Sequence, residues 1–279
     1  MISVALTIAG SDSGGGAGIQ ADLKTFQELG TFGTSVLTAV TAQNTMGVRA
    51  VQPINIDMVI NQLEAVMDDF SVGAIKTGML FSAEIIEAVA NTLARYSKYP
   101  LVIDPVMIAK GGASLLQQSA IVALKECLIP MASLLTPNIP EAEVLTGMSI
   151  SSLTDMEIAA NRFLEMGTGA VLMKGGHRQD TLFAEDLYIS ASGEYLLMKS
   201  KRIDTKDTHG TGCTFAAAIT AELAKGALMS EAVVTAKQYI HAAIEDGLHL
   251  GKGNGPTNHA AFRNRSNAKR KDVELIGKS

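Results

Sequence analysis

Four short segments hold residue types suited to chemistry on a phosphoryl group. The first is Asp207-Thr208-His209-Gly210-Thr211-Gly212-Cys213-Thr214, directly before an alanine-rich stretch. Gly210 and Gly212 let backbone N–H groups converge, and a helix N-terminus adds about half a positive charge. Such a nest suits a phosphoryl group or an oxyanion. A thiol in the first helical turn is expected to titrate below its usual ~8.5, leaving Cys213 as base, nucleophile or thiolate beside the nest. The alternative is a small buried apolar residue. The second segment, Gly10 to Gly18, contains five of the 26 glycines. It matches neither G-x-G-x-x-G cleanly nor the Walker A pattern, and is expected to form a backbone cradle for a small polar ligand, or else a flexible turn. The third is Thr136-Pro137-Asn138-Ile139-Pro140-Glu141. Asn138 and Glu141 have the spacing of a helix cap, and Glu141 could also serve Mg²⁺ through water. Asp104, after a short apolar run, is a second acid for that ion, or a buried carboxylate paired with a backbone N–H. The fourth is Lys174-Gly175-Gly176-His177, where Lys174 could bind phosphate as a point charge. Lys237 is a further phosphate candidate, and Asn138 is grouped with these ATP-side residues. Either lysine could instead pack its stem on the surface.

These segments need elements to hold them at one place. Apolar runs at Ile2–Ala9, Ser35–Thr41, Ala74–Thr77, Leu101–Ile103, Ser133–Thr136 and Ala170–Lys174 read as strands. Between them, Ala17–Leu29, Asp57–Phe70, Ala83–Tyr96, Ser119–Leu128, Asn138–Leu145 and Thr154–Met166 carry helical spacing. The alternation predicts a mainly parallel sheet covered by helices. Leu182–Ser190 and Tyr195–Lys199 break it, and predict an antiparallel hairpin at the sheet edge. Two helices follow, Thr211–Lys225 and Glu231–Leu248. In open α/β sheets ligands collect at the carboxyl ends of the strands, where all four segments fall.

Composition narrows the function classes. Of 279 residues, 23 are basic and 28 acidic, so the formal charge is −5. With 47% apolar residues this excludes a disordered chain and argues against a broad nucleic-acid surface. No apolar run reaches the ~18 residues of a membrane span. Two cysteines and no signal-peptide pattern predict a cytoplasmic protein. The basic stretch Arg263–Ser279 is expected to be a solvated, frayed tail, with a docking arm as the alternative.

The stretch Leu6-Thr7-Ile8-Ala9-Gly10-Ser11-Asp12-Ser13-Gly14-Gly15-Gly16-Ala17-Gly18-Ile19-Gln20-Ala21-Asp22 resembles the opening of the hydroxymethylpyrimidine/phosphomethylpyrimidine kinase family, in the ribokinase-like superfamily. Thr41-Ala42-Gln43-Asn44-Thr45, Lys76-Thr77-Gly78-Met79-Leu80, Asp104-Pro105-Val106-Met107, Met173-Lys174-Gly175-Gly176-His177 and Thr208–Thr214 are similar to it too, as is Gly251–Pro256. The likeness spans residues 2–262 in order. It implies a three-layer α/β/α ribokinase-like fold, one kinase domain over 1–262, and a tail over 263–279. It also implies a cytosolic homodimer that uses ATP and Mg²⁺ to phosphorylate 4-amino-5-hydroxymethyl-2-methylpyrimidine, then its monophosphate to the pyrophosphate, in thiamine diphosphate biosynthesis. By the family pattern Gln43 pairs with the pyrimidine edge, Gly10, Met79 and Val106 line its pocket, and Asp22 contacts the ring. Gly210, Thr211, Gly212 and Cys213 form the anion hole. Most ribokinase-like sugar kinases carry an aspartate where Cys213 stands. A related pyridoxal branch carries a cysteine in the lid, where this chain reads Ile108-Ala109-Lys110-Gly111-Gly112, so weak or no pyridoxal kinase activity is expected.

Two other functions compete. A hydrolase would use Cys213 with His209 or His177 and the nest as oxyanion hole. A sensor would bind nucleotide or pyrimidine without turnover.

Overall fold

A computed structural model describes residues 2–96, 99–107, 118–178, 182–265 and 273–277. The chain opens with β1 (Val4–Ala9), α1 (Gly18–Glu28) and β2 (Phe32–Leu37), then the hairpin β3 (Ala39–Asn44) and β4 (Gly47–Pro53). There follow α2 (Ile56–Met67), β5 (Val72–Thr77), α3 (Ala83–Leu93), β6 (Leu101–Ile103), α4 (Gln118–Ala123), β7 (Leu134–Leu135), α5 (Ile139–Thr146), α6 (Leu153–Glu165) and β8 (Ala170–Lys174). The last part comprises β9 (Phe183–Ser190), β10 (Tyr195–Lys201), α7 (Thr211–Ala224), α8 (Met229–Glu245), α9 (Ala261–Asn264) and β11 (Glu274–Gly277).

Nine strands form one sheet in the order β11-β10-β9-β8-β7-β6-β5-β1-β2. Pairing is parallel from β2 to β8 and antiparallel through β9, β10 and β11. The parallel strands are short and buried on both faces, which is why they read as apolar runs without alternation. One face carries a core that includes Leu63, Ile86, Leu128 and Phe163; the other packs Phe215, Ile219 and Tyr239 of α7 and α8. These are the three expected layers, and the edge hairpin stands where the pattern put it. Among the described residues no helix is long and apolar enough to cross a membrane.

Three expectations are revised. Ser35–Thr41 is not one strand. Thr38 turns the chain, its N–H donating to Ala9 O at 3.1 Å and its hydroxyl to Met79 O at 2.7 Å. The chain then leaves the main sheet to form the two-stranded β3–β4 hairpin. Second, Ser119–Leu128 is not one regular helix. After α4 it widens into a π turn over Leu124–Leu128 and tightens at Ile129–Met131, where Pro130 has no N–H to donate. Third, the tail is not frayed where it is described. Arg265 is buried against Glu245 and Asp246, at 2.6 and 3.0 Å, and β11 pairs with β10. Residues 266–272 and 278–279 lie outside the described residues, as does the expected lid at 108–112.

The strand order reverses at β1, which lies between β2 and β5. This is the topological switch point where α/β sheets open a crevice. Gly10 leaves β1 there and donates its N–H to Met79 O after β5, at 3.2 Å. The crevice needs α7 seated over β1, β5 and β6. Gly73 of β5 permits that approach: a Cβ there would lie 2.7 Å from Ala224 O and 3.0 Å from Ala224 Cα. Gly73→Ala should therefore lower stability by roughly 1–3 kcal/mol, read as a lower urea midpoint with an unchanged m-value. An unchanged midpoint would show that α7 can shift at no cost.

Candidate active site

A cleft of about 730 Å³ opens at the carboxyl ends of the parallel strands. Its walls include Gly10, Gln43, Met79, Val106, Asp104, Asn138, Glu141, Lys174, Lys237 and Gly210 through Cys213. Asp22 is absent from them, as are His177 and Gly14, Gly15 and Gly16 of the glycine-rich loop.

One end of the cleft is built for anions. Gly210 precedes α7 with φ +79°, and its Cα lies against the backbone carbonyl of Gly16, so any Cβ would be both strained and obstructed. No side chain caps α7. The Thr211 N–H turns back to Thr208 O at 3.4 Å, and Gly212 and Cys213 follow it in the first turn, at the end of the helix where N–H groups lack intrahelical partners. A Cβ on Gly212 would sit 3.4 Å from Lys174 Nζ and 3.6 Å from Asp104 Oδ2, so the nest abuts a cation. Lys174 Nζ donates to Asp104 Oδ1 at 2.7 Å. Burial works against the Lys174 ammonium, but Asp104 and Glu141 outweigh it and keep the pKa above its usual value.

Asn138 and Glu141 form the capping box that their spacing suggested. Asn138 Oδ1 accepts from Glu141 N and Glu141 Oε2 accepts from Asn138 N, both at 2.8 Å. Burial pushes the Glu141 carboxyl up to about 7, with Asp104 adding to the rise and Lys174 opposing it. Two close carboxylates with one lysine are short of positive charge. Among the described residues no cluster of three acidic, histidine or cysteine side chains could enclose a metal. Two hard oxygen donors with open positions suit Mg²⁺, which keeps waters and takes phosphate oxygens.

Lys237 lines the cleft and is held there by the edge hairpin. Its Nζ donates to Asp186 Oδ2 at 2.7 Å and to Ala184 O at 3.0 Å, while Asp186 Oδ1 accepts from Gly175 N at 2.9 Å. It braces the turn that follows Lys174.

The glycine-rich loop is not an open cradle. Gly14, Gly16 and Ala17 direct their N–H groups at the buried Asp12 carboxylate, at 2.8, 3.0 and 2.9 Å. His209 Nε2 reaches the same carboxylate at 2.8 Å. Burial alone would raise the Asp12 pKa, but His209 and the N–H donors bring it below the ordinary carboxylate value. His209 is thereby engaged with Asp12 and stands 3.4 Å from the Gln43 amide. A Cys213–His209 dyad is not formed.

Beneath the nest lies an ion pair that sequence patterns did not predict. Lys76 Nζ donates to both Asp22 oxygens, at 2.7 and 2.9 Å, and Thr7 Oγ1 donates to Asp22 Oδ2 at 2.6 Å. All three side chains are fully buried, so Asp22 supports the floor and does not touch the cleft. Burial acts against both charges, while the short contacts hold the lysine protonated. The expectation of a depressed thiol pKa is also reversed. Burial raises Cys213 to about 11; Lys76 and a hydrogen bond from Gly18 N–H lower it, and Asp22 and Asp104 add to the rise. A lysine inside the otherwise apolar run Val72–Thr77 was the available signal for this pair, because charges are rarely buried unpaired.

A family model described as phosphomethylpyrimidine kinase matches residues 12–258. A hydroxymethylpyrimidine/phosphomethylpyrimidine kinase of Bacillus subtilis (strain 168) is 52% identical over 262 residues, covering 94% of this chain and 96% of that protein. The thiamine biosynthesis bifunctional protein ThiED of Geobacter sulfurreducens is 53% identical over 254 residues, 91% of this chain and 51% of that one. The pyridoxal kinase from Staphylococcus aureus, solved with AMP-PCP and pyridoxal, superposes with a TM-score of 0.89 at 36% identity over 100% of both chains.

The buried pair makes two predictions. Lys76→Met strands the Asp22 carboxylate and should cost about 3–5 kcal/mol in chemical denaturation, most of it regained in Lys76→Met/Asp22→Leu. In a Cys127→Ser background, alkylation of Cys213 by iodoacetamide should climb with pH and reach half its maximum only near pH 11, since the thiolate is the reactive form. A plateau by pH 8 would mean that the helix N-terminus dominates the thiol after all.

Proposed function

The chain belongs to the phosphomethylpyrimidine kinase family, and on that premise we propose how its residues carry the activity. It transfers a phosphoryl group from ATP to 4-amino-5-hydroxymethyl-2-methylpyrimidine and then phosphorylates the monophosphate, in thiamine biosynthesis. The observation that carries the assignment of roles is the juxtaposition of the Gly210–Gly212 nest with the Lys174–Asp104 pair in one cleft whose other wall holds Gln43. The pyrimidine edge pairs with Gln43, and Gly10, Met79 and Val106 flank the ring. The transferred phosphoryl group lies over the N–H groups of Thr211, Gly212 and Cys213, with Lys174 beside it. Asn138 holds Glu141 in place at that end. Phosphoryl transfer asks mainly for positioning and charge neutralisation, which this arrangement supplies.

Asp104 and Glu141 are the residues that would hold Mg²⁺, through water and phosphate oxygens. The ion would neutralise developing phosphate charge. The kinase unit is the single domain of residues 1–262, with β11 added at its sheet edge. Exposed Val40 and Met46 on the β3–β4 hairpin support a homodimer, which light scattering can test. Both cysteines are free thiols, in keeping with a cytoplasmic enzyme.

The two phosphorylations place different demands on Cys213. In the first, the hydroxymethyl oxygen must lose its proton as it bonds to phosphorus. A thiolate whose conjugate acid has a pKa near 11 is a competent acceptor, but only about one site in 10⁴ is ionised at pH 7. In the second, the nucleophile is already a phosphate anion. Mass spectrometry of products from the pyrimidine and MgATP should therefore show both phosphates. The first step should accelerate about tenfold per pH unit between 7 and 9, and the second should not. Cys213→Ala should slow the first step by about 10²–10⁴-fold and leave the second within about tenfold. Equal loss in both would remove the base from the mechanism. Pyridoxal should be a poor substrate, and a kcat/KM rivalling that for the pyrimidine would contradict this.

A further inference from the structure

The Gln43 side chain sits between two groups whose protons are already assigned. Thr41, two residues back on β3, has its hydroxyl 2.8 Å from the carbonyl oxygen of Ser11. A carbonyl only accepts, so the Thr41 proton points at Ser11. The same hydroxyl oxygen is 3.3 Å from Gln43 Oε1. On the other side His209 Nε2 is 2.8 Å from the Asp12 carboxylate, which also only accepts, so that nitrogen carries the proton. It is 3.4 Å from Gln43 Nε2. With the amide oxygen toward Thr41, oxygen faces oxygen there and donor faces donor at His209. A half-turn about the terminal torsion mends both contacts together. The amide nitrogen then donates to Thr41 Oγ1 and the amide oxygen accepts from His209 Nε2–H. Ser13 clamps the Gln43 backbone from both sides, its hydroxyl donating to Gln43 O at 2.7 Å and accepting from Gln43 N at 2.8 Å.

We propose that Thr41 and His209, the latter held by Asp12, are positioning residues that lock the Gln43 amide with its oxygen on the His209 side, and that this lock selects the ring and its orientation. The inference rests on the pairing of Gln43 with the pyrimidine edge. One N–H and one lone pair of the locked amide remain for the ligand, in fixed order. The acceptor meets the 4-amino group on the His209 side; the donor meets ring N3 on the Thr41 side. The hydroxymethyl group is on C5, next to C4, so it lies on the His209 side as well. His209 immediately precedes Gly210, and the nucleophile is therefore turned toward the nest. A reversed amide would turn it away. A 4-oxo ring presents N3–H and a carbonyl, the opposite order, and the lock rejects it.

The test is the ratio of kcat/KM for the 4-amino substrate to that for its 4-oxo analogue. Thr41→Val removes one of the two constraints and should lower the ratio at least about tenfold, because a mismatched donor and acceptor are what enforce such discrimination. Thr41→Ser keeps the hydroxyl and should restore it. Gln43→Leu separates the two layers of the inference. If it leaves the ratio intact, Gln43 does not read the ring and both layers fall. If it collapses the ratio while Thr41→Val keeps the wild-type value, the pairing stands and the lock is overturned. A crystal structure of the wild-type protein with the pyrimidine gives a readout independent of any variant's folding. The 4-amino group is expected on the His209 side, and finding it on the Thr41 side would overturn the lock.

Discussion

The Asp12 carboxylate gathers four donors: the N–H groups of Gly14, Gly16 and Ala17 and the imidazole of His209. Its contacts join the loop after the first strand to the turn before α7, 197 residues later in the chain. Each side of the site depends on that junction. The glycine-rich loop takes its shape from the carboxylate, and Gly210 can sit against Gly16 only because His209 is drawn in beside it. A buried carboxylate with this many donors is well compensated, and removing any one donor leaves the others aimed at an under-satisfied charge. The geometry of the cleft wall is thus set from behind, by a buried carboxylate.

A second buried charge cluster supports the floor. Lys76, Asp22 and Thr7 bring together β5, α1 and β1 under the first turn of α7. Such pairs are costly to desolvate and add little net stability. Their value here is electrostatic placement: a fixed cation lies within reach of the Cys213 thiol and opposes part of the rise that burial imposes on its pKa. The nest above supplies N–H dipoles and the Lys76 cation lies below it, paired with Asp22, so the donors at this end of the cleft are local although the chain as a whole carries −5.

What could be read from the residues alone was what depends on local pattern. Strand ends, the helix that begins at Thr211 and the Asn138–Glu141 cap all follow from spacing within a few residues. Lys174 and Asp104 were named separately, and only the pairing of β6 and β8 through β7 brings them to 2.7 Å. What was misread depends on contacts between distant segments. The loop from Gly10 to Gly18 reads as an open backbone cradle for a small polar ligand until Asp12 is seen to occupy its N–H groups. Asp22 follows the glycine-rich loop in sequence, yet it faces Lys76, 54 residues on. Cys213 stands at a helix N-terminus, which favours the thiolate, but its burial and two acidic neighbours outweigh the dipole. The division of Ser35–Thr41 into two strands turns on a threonine hydroxyl bonded to Met79, which no periodicity encodes.

The position of α7 bears on how the chain acquires its structure. This helix packs on β1, β5 and β6 and between α1 and α8, yet it is encoded after residue 210. The six parallel strands of the main sheet are complete by Lys174, with one face covered by α2 to α6 and the other lacking its principal cover. A chain emerging from its N-terminus would present that bare apolar sheet until α7 is made. Long-range closure of this kind is slow, and an uncovered parallel sheet is open to wrong partners while it waits. The helix that carries the anion nest is therefore also the piece whose arrival ends the vulnerable phase of folding.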